Sequence, residues 1–388
     1  MNKIGTKYCG CYADATGYGE ANRNYIFALD QVGINVSTQK VQYTKEYSIH
    51  GKEHELCRTL ENKDIQYDIK IVHVPCDNYL KHLEPCKYHI GHLFWETDKM
   101  APEWVWNCNL MDEIWVGDEY HKGVFMDSGV KRPIYVMPQP IDIDLADEKY
   151  AKFKIEGQKE FLFYSIFQWI ERKNYRGLLE AYYKEFNNGE NVGLLLKTYR
   201  EFYTNDERDK IREDINKIKR GFGNKYPPSV YLHVGLQTKH DVMRIHNSGD
   251  CYVLPHRGEG FGRTILEAML MGKPTIATNF GGIHEFLTKE IYYPLDFKMI
   301  KVFNMEFAPW YAKDQQWAEP NVGQLRKYLR YVFENRDEAK GRGKLGQDFI
   351  KRNFSFEAVG RMMKDRLLDI QKMIDGERKN KIRWLPRI

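Results

Sequence analysis

Short apolar runs of strand length alternate with helix-patterned stretches along this chain, and they do so in two successive blocks. No other feature constrains the fold as much. Strands separated by helices pair in parallel through right-handed crossovers, so each block predicts an α/β layer around a parallel sheet. In the first block, residues 7–12, 34–38, 69–74, 90–94, 114–116 and 134–137 read as strands. Between the first two, the turn Gly17-Tyr18-Gly19 leads into a helix with Tyr25, Ala28, Leu29 and Val32 on one face. Residues 102–108 and 119–128 read as further helices, and Pro138-Gln139-Pro140 ends the series.

The stretch 142–160 is charged and weakly patterned, as a connection between domains is. The second block restarts at 161–167, an apolar run suited to a buried parallel strand. Its first helix carries Leu178, Leu179, Tyr182, Tyr183 and Phe186 on one face. Strands at 192–198, 230–234, 250–254 and 275–278 alternate with helices at 206–220 and 239–247. Residues 322–334, 338–352 and 356–374 are helical in pattern, the last opened by Ser355 as a cap. The expected boundaries are 1–150, 151–354 and 355–388. In sheets of this kind ligands sit at the carboxyl ends of strands, so the segments that follow strands are where function is sought.

The most informative such segment follows the strand at 250–254. It reads Pro255-His256-Arg257-Gly258-Glu259-Gly260-Phe261-Gly262-Arg263-Thr264, with a helix beginning near Thr264. A glycine-rich turn into a helix presents free backbone N–H groups and the positive end of the helix dipole, which suits a diphosphate. Glu259 lies before the turn and Glu267 one helical turn inside, and carboxylates accept hydrogen bonds from the hydroxyls of ribose or a hexose. A second glycine turn, Gly281-Gly282, follows the next strand, with Glu285 beside it. Phosphate donors flanked by hydroxyl acceptors are what a nucleotide sugar requires; a tight connecting loop with exposed acids is the plainer alternative.

Glu259 and Glu267, with seven residues between them, resemble the E-x7-E motif of the family 4 glycosyltransferases. Glu259-Gly260-Phe261-Gly262, Leu266-Glu267-Ala268-Met269, Gly272-Lys273-Pro274 and Gly281-Gly282 are similar to that family as well. The resemblance implies a GT-B fold: two Rossmann-like α/β domains with parallel sheets facing a central cleft. Residues 1–150 would form the acceptor-binding domain and 151–354 the donor-binding domain. The segment 355–388 would be a helix crossing back to the first domain, plus a basic tail.

It further implies retaining transfer of a hexose from a UDP- or GDP-sugar to a glycan, glycolipid or other hydroxyl acceptor, with no cofactor and no required metal. Glu259 resembles the acid that contacts the transferred sugar, and Glu267 the ribose ligand. The amides of Phe261, Gly262 and Arg263 would face the sugar and diphosphate, with Gly260 and Thr264 in the same turn. Lys173, in Glu171-Arg172-Lys173-Asn174, resembles the lysine that neutralises the diphosphate, where a fixed positive charge stabilises the charge growing on the leaving group. Gly17, Tyr18 and Gly19 resemble a glycine loop that closes over the diphosphate from the first domain.

One position departs from the family: Phe167 stands where an arginine is usual, six residues before Lys173. Arg172 and Lys197 are the candidates to replace that charge. On the acceptor side, Trp95-Glu96-Thr97-Asp98 follows a strand. Glu96 or Asp98 would bind acceptor hydroxyls or take the acceptor proton, and Trp95 would stack on a sugar face. Alternatively Trp95 belongs to the core and the acids cap the helix at Pro102. Replacing Glu259 or Lys173 by alanine is expected to abolish transfer and leave the fold intact.

The formal net charge is +5, and residues 376–388 carry Arg378, Lys379, Lys381, Arg383 and Arg387 against Glu377 alone. The rest of the chain is therefore close to neutral, which argues against a broad nucleic-acid face. The tail interleaves Ile382, Trp384 and Leu385 and suits contact with an anionic membrane surface; a solvated tail is the alternative. Seven cysteines without a CxxC pair suggest reduced thiols and a cytoplasmic location. No charged-then-apolar leader and no run of about 18 apolar residues is present in the sequence. His73-x-x-Cys76 and Cys86-x-x-His89 lack the usual four-ligand zinc spacing. Two other functional classes fit the sequence less well. One is a catalytically weak protein that binds nucleotide sugars or glycans, favoured by Phe167. The other is a DNA-glucosylating enzyme of the same fold, which would need a basic groove.

Overall fold

The computed structural model describes residues 4–44, 51–201, 203–222, 226–305, 308, 310–312 and 314–383, with 377–383 as backbone only. The chain forms two compact units. Met1–Phe94, Met100–Asp142 and Asn353–Ile388 make the first; Trp95–Lys99 and Ile143–Arg352 make the second. The division thus falls at Asp142/Ile143 rather than at 150/151, and Trp95–Lys99 leaves the first block of sequence for the second unit. One backbone and one side-chain hydrogen bond explain the transfer: Asp98 N donates to Gln316 O at 3.1 Å, and Gln316 N donates to Asp98 Oδ1 at 2.6 Å.

In the first unit, β1 (Gly5–Gly10), β2 (Asn35–Lys40), β3 (Ile69–His73), β4 (Tyr88–His92), β5 (Glu113–Val116) and β6 (Ile134–Val136) form one sheet in the order β2-β1-β3-β4-β5-β6. Every pairing is parallel, as the alternation of strand and helix requires. The helices are α1 (Gly17–Gln31), α2 (Lys52–Thr59), α3 (Pro102–Asn109) and α4 (Glu119–Ser128). Thr16 caps α1 by accepting from Gly19 N at 3.1 Å. Asp118 caps α4, and Gly129, at φ 106, ends it.

The C-terminal helix Phe356–Arg383 belongs to this unit. Ser355 Oγ accepts from Ala358 N at 3.1 Å and starts it. Val359, Met363, Leu367, Ile370 and Ile374 recur at helical spacing, and all are buried in one cluster with Tyr25, Ala28 and Leu29 of α1. Full burial of such side chains contributes about 1.5–3 kcal/mol each. Arg366 anchors the helix by an ion pair with Glu113, which is fully buried on β5 and also accepts from Trp115 Nε1 at 2.7 Å and Tyr88 Oη at 3.1 Å. Arg378, Lys379, Lys381 and Arg383 of the tail are seen only as helical backbone, and Arg387 lies outside the described residues.

The second unit holds β7 (Phe161–Gln168), α5 (Tyr175–Glu185), β8 (Val192–Tyr199), α6 (Asn205–Gly221), β9 (Ser229–Val234), α7 (Lys239–Ser248), β10 (Cys251–Leu254), α8 (Arg263–Leu270), β11 (Thr275–Thr278) and β12 (Tyr293–Leu295). Its parallel sheet runs β12-β11-β10-β7-β8-β9. Seven of the eight residues of β7, and of β8, are buried, as continuous apolar runs predict. An antiparallel hairpin, β13 (Phe297–Lys301) with β14 (Gln316–Pro320), then α9 (Val322–Glu334) and α10 (Arg336–Asn353), complete the unit. The sequence pattern does not anticipate the hairpin. The order of strands reverses between β7 and β10, so the loops leaving these two neighbours open a crevice at their carboxyl ends.

Candidate active site

Two loops meet at that crevice. After β7 the chain makes a single 3₁₀ turn, Glu171–Lys173. Asn174 then takes a left-handed conformation at φ 53 and caps α5 by accepting from Gly177 N at 3.1 Å. This sharp reversal turns Lys173 back toward the loop after β10. That second loop runs from Pro255 to Gly262, which has φ 92 and opens α8. The start of α8 has no side-chain cap, so the dipole and amides of its first turn stay available to an anion. The second glycine turn locks onto the first: Ile283 N donates to Phe261 O at 2.7 Å. Gly282 sits at φ 59, where a Cβ would lie 2.6 Å from Phe261 O, so only glycine fits.

The charged side chains fall into two groups. In one, Lys173 Nζ is ion-paired with Glu259, and both side chains are about nine-tenths buried. Burial and the neighbouring Arg172 lower the Lys173 pKa, while Glu259 opposes the shift. Arg172 Nη1 donates to Gly258 O at 2.8 Å and lies 3.6 Å from Glu96 Oε1. Arg257 is buried and braces the loop, donating to Glu171 O at 2.5 Å and to Glu319 Oε2 on β14 at 2.5 Å.

The other group surrounds Glu267, which is fully buried on α8. Its Oε1 accepts from Lys239 Nζ at 2.7 Å and from Arg263 Nη1 at 2.8 Å. Its Oε2 lies 3.5 Å from His246 Nε2. Burial pushes the Glu267 carboxyl up, but Arg263, Lys239 and His246 outweigh it and hold the carboxyl well below the usual range. Thr264 Oγ1 accepts from Tyr252 Oη at 2.6 Å, which fixes the first turn of α8 to β10. Lys197 lies on β8 between Ile166 of β7 and His233 of β9, and is 6% exposed.

The structure brings together Arg172, Lys173, Glu259, Gly260, Phe261, Gly262, Arg263, Thr264 and Glu267, and sets Lys197 beside the Glu267 cluster. Gly17, Tyr18 and Gly19 are in the first unit, in the opening turn of α1. Phe167 is buried and stacks on Trp169 at 6.0 Å between ring centroids. The acceptor-side candidates need correction. Trp95 is 1% exposed and its Nε1 donates to Lys99 O at 3.1 Å, so its indole face is closed to a sugar. Asp98 is tied to β14, and α3 starts at Ala101 without a side-chain cap, so neither acid caps that helix. Glu96 remains partly accessible, accepting from Tyr311 Oη at 2.8 Å beside Arg172.

Sequence reasoning missed Lys239, His246 and Arg257; each is polar and buried or paired through tertiary contacts that no local pattern marks. Among the described residues, no three His, Cys, Asp or Glu side chains are placed to hold a metal ion. His73 Nδ1 meets Tyr8 Oη at 2.6 Å, and Cys86 Sγ lies 3.3 Å from His89 Nε2. No described helix is long and apolar enough to cross a membrane.

Residues 158–294, which carry both loops and both glycine turns, match the family model described as glycosyl transferases group 1. The fold of the chain is GT-B. Sucrose-phosphate synthase from Thermosynechococcus elongatus has a TM-score of 0.68 at 13% identity, over 96% of this chain and 100% of that one. Anabaena Alr3699/HepE, solved in complex with UDP and glucose, has a TM-score of 0.64 at 12% identity, over 94% and 100%. Uncharacterized protein 356 of Sulfolobus islandicus rod-shaped virus 1 is 22% identical over 286 residues, 71% of this chain and 74% of that relative. The class is therefore glycosyltransferase, carried by a group 1 domain in the second unit.

Proposed function

We propose that the chain is a retaining glycosyltransferase of family 4 type. It moves a hexose from a UDP- or GDP-sugar to a hydroxyl of a glycan or glycolipid, with no required metal. One observation carries the reading: α8 opens uncapped at a glycine turn, with an acid on each side of that opening and a lysine on each acid. The amides of Phe261, Gly262 and Arg263 bind the diphosphate. Glu267 binds the ribose hydroxyls. Glu259 holds the hexose, and Lys173 neutralises the leaving group. As the bond from the anomeric carbon to the diphosphate oxygen breaks, negative charge grows on that oxygen, and a preorganised cation lowers the barrier. The acceptor oxygen bonds to the anomeric carbon and passes its proton to the departing diphosphate oxygen, so that UDP or GDP leaves. The UDP and glucose bound by HepE support a UDP-sugar donor.

The same proposal includes a cytoplasmic enzyme whose basic tail touches an anionic membrane surface. The decisive experiment is a screen of UDP-, GDP- and ADP-sugars for protection against thermal unfolding, followed by donor-hydrolysis and transfer assays. A bound donor at about 100 times its Kd adds about 2.7 kcal/mol of stability. Protection with turnover is expected. Protection without turnover would indicate a binding protein, and no protection by any nucleotide sugar would refute a donor site.

A further inference from the structure

Lys197 is 6% exposed, and its ammonium has no hydrogen bond or ion pair among the described residues. A buried charge with no carboxylate in ion-pair contact is costly, so a site that keeps one is suited to an incoming anion. Arg172, the other candidate to replace the charge missing at Phe167, gives Nη1 to Gly258 O and lies 3.6 Å from Glu96, while its buried Nε has no hydrogen-bond partner among the described residues. What Lys197 does have is an aromatic cradle. Its Nζ lies 5.3 Å from the ring centroids of both Tyr199 and Tyr203, which stack on each other at 4.3 Å.

The loop after β8 is shaped to hold that cradle. Tyr203 takes a left-handed backbone at φ 58, which is strained for a tyrosine. Glu207, capped by Thr204, fixes it there by accepting from Tyr203 N and Arg200 N, each at 3.1 Å, and from Glu201 N at 2.7 Å. Lys239 and Arg263 both ion-pair with Glu267 where α8 begins, and Lys197 faces the same carboxylate.

The geometry points to Lys197 as the second cation for the donor's diphosphate, held by Tyr199 and Tyr203 in place of the arginine that Phe167 displaces. This assignment rests on the proposed donor site and deepens it. The groups facing Lys197 are Arg263 and Glu267 on α8, His233 on β9 and the two tyrosines. Burial, with the repulsion of Arg263, lowers the Lys197 pKa to about 8. Binding of a dianion requires the protonated lysine, so affinity falls as pH rises through about 8.

The test compares UDP and GDP with uridine and guanosine by titration calorimetry, in wild type, Lys197→Met and Lys197→Arg. The ratio of nucleoside Kd to nucleoside-diphosphate Kd isolates the diphosphate, and the nucleoside reference cancels any titration of the base. Lys197→Met should lower that ratio about tenfold or more, as loss of a charge-assisted bond implies, with nucleoside binding unchanged. Lys197→Arg should keep the ratio and shrink its decline between pH 7 and 9, and this arm stands even if the methionine variant folds poorly. An unchanged ratio in Lys197→Met, or an undiminished alkaline decline in Lys197→Arg, overturns the assignment alone. Failure of wild type to bind any of the four compounds overturns the donor site itself.

Discussion

Lys173 and Glu259, 86 residues apart in sequence, close an ion pair across the loops that follow β7 and β10. Each therefore neutralises the other. Removing one partner leaves a buried charge uncompensated, at a cost of about 3–5 kcal/mol, whereas removing both with isosteric apolar or neutral groups is closer to neutral. The single variants Lys173→Met and Glu259→Gln should each lose transfer and also unfold at lower urea. The double variant should regain most of the stability and none of the activity. Equal stability of single and double variants in urea titrations would show that the pair is not coupled.

Glu267 carries a pH dependence of its own. Its folded pKa lies well below the unfolded value of about 4.3. The stability it contributes is thus fully present above about pH 4.3 and is lost as pH falls through the folded value. Urea midpoints measured from pH 6 to 3 should fall less steeply in Glu267→Gln than in wild type. Identical slopes would mean that Lys239 and Arg263 do not hold the carboxylate in solution.

The two glycines of Gly17-Tyr18-Gly19 should behave differently. A Cβ on Gly17 meets nothing within 4 Å, and alanine there gains helix propensity of about 0.8–1 kcal/mol at most. A Cβ on Gly19 would lie 2.2 Å from Asp14 O, a contact only backbone movement can relieve. Gly17→Ala should leave the melting temperature level or higher, and Gly19→Ala should lower it by several degrees. A loss of transfer in Gly17→Ala with stability intact would place that residue in donor binding.

Arg366 should be worth more than a surface ion pair. Its partner Glu113 is fully buried and shared with Trp115 and Tyr88. Arg366→Met leaves that carboxylate without its cation and should cost about 3–5 kcal/mol. Hydrogen exchange should rise first in the C-terminal helix and in α1, whose Ala28 and Leu29 it covers.

Period and punctuation made much of this molecule legible. Buried runs such as 161–167 have no alternation to confuse them, and Ser355 and the glycine turn before Thr264 mark helix starts by known capping chemistry. The glycine turns and acids of 255–285 were legible for the same reason, being local in sequence. What could not be read were contacts made by distant residues. Trp95–Lys99 joins the second unit through Gln315 and Gln316, a pairing without periodicity. The burial of Trp95 and the attachment of Lys239 to Glu267 arise only once the chain is folded. Arg172 and Lys197 looked interchangeable as lone cations; their partners separate them.

The first unit takes its strands from residues before Asp142 and its covering helix from residues after Asn353. During synthesis, that helix leaves the ribosome only after the whole second unit has been made. At ~5–20 residues per second, making the intervening 143–352 stretch takes roughly 10–40 s. Throughout that interval the apolar face of α1 waits without its cover, while the second unit can already assemble around Trp95–Lys99. A chain stalled before Asn353 would thus present a finished second unit tethered to an open, aggregation-prone first one.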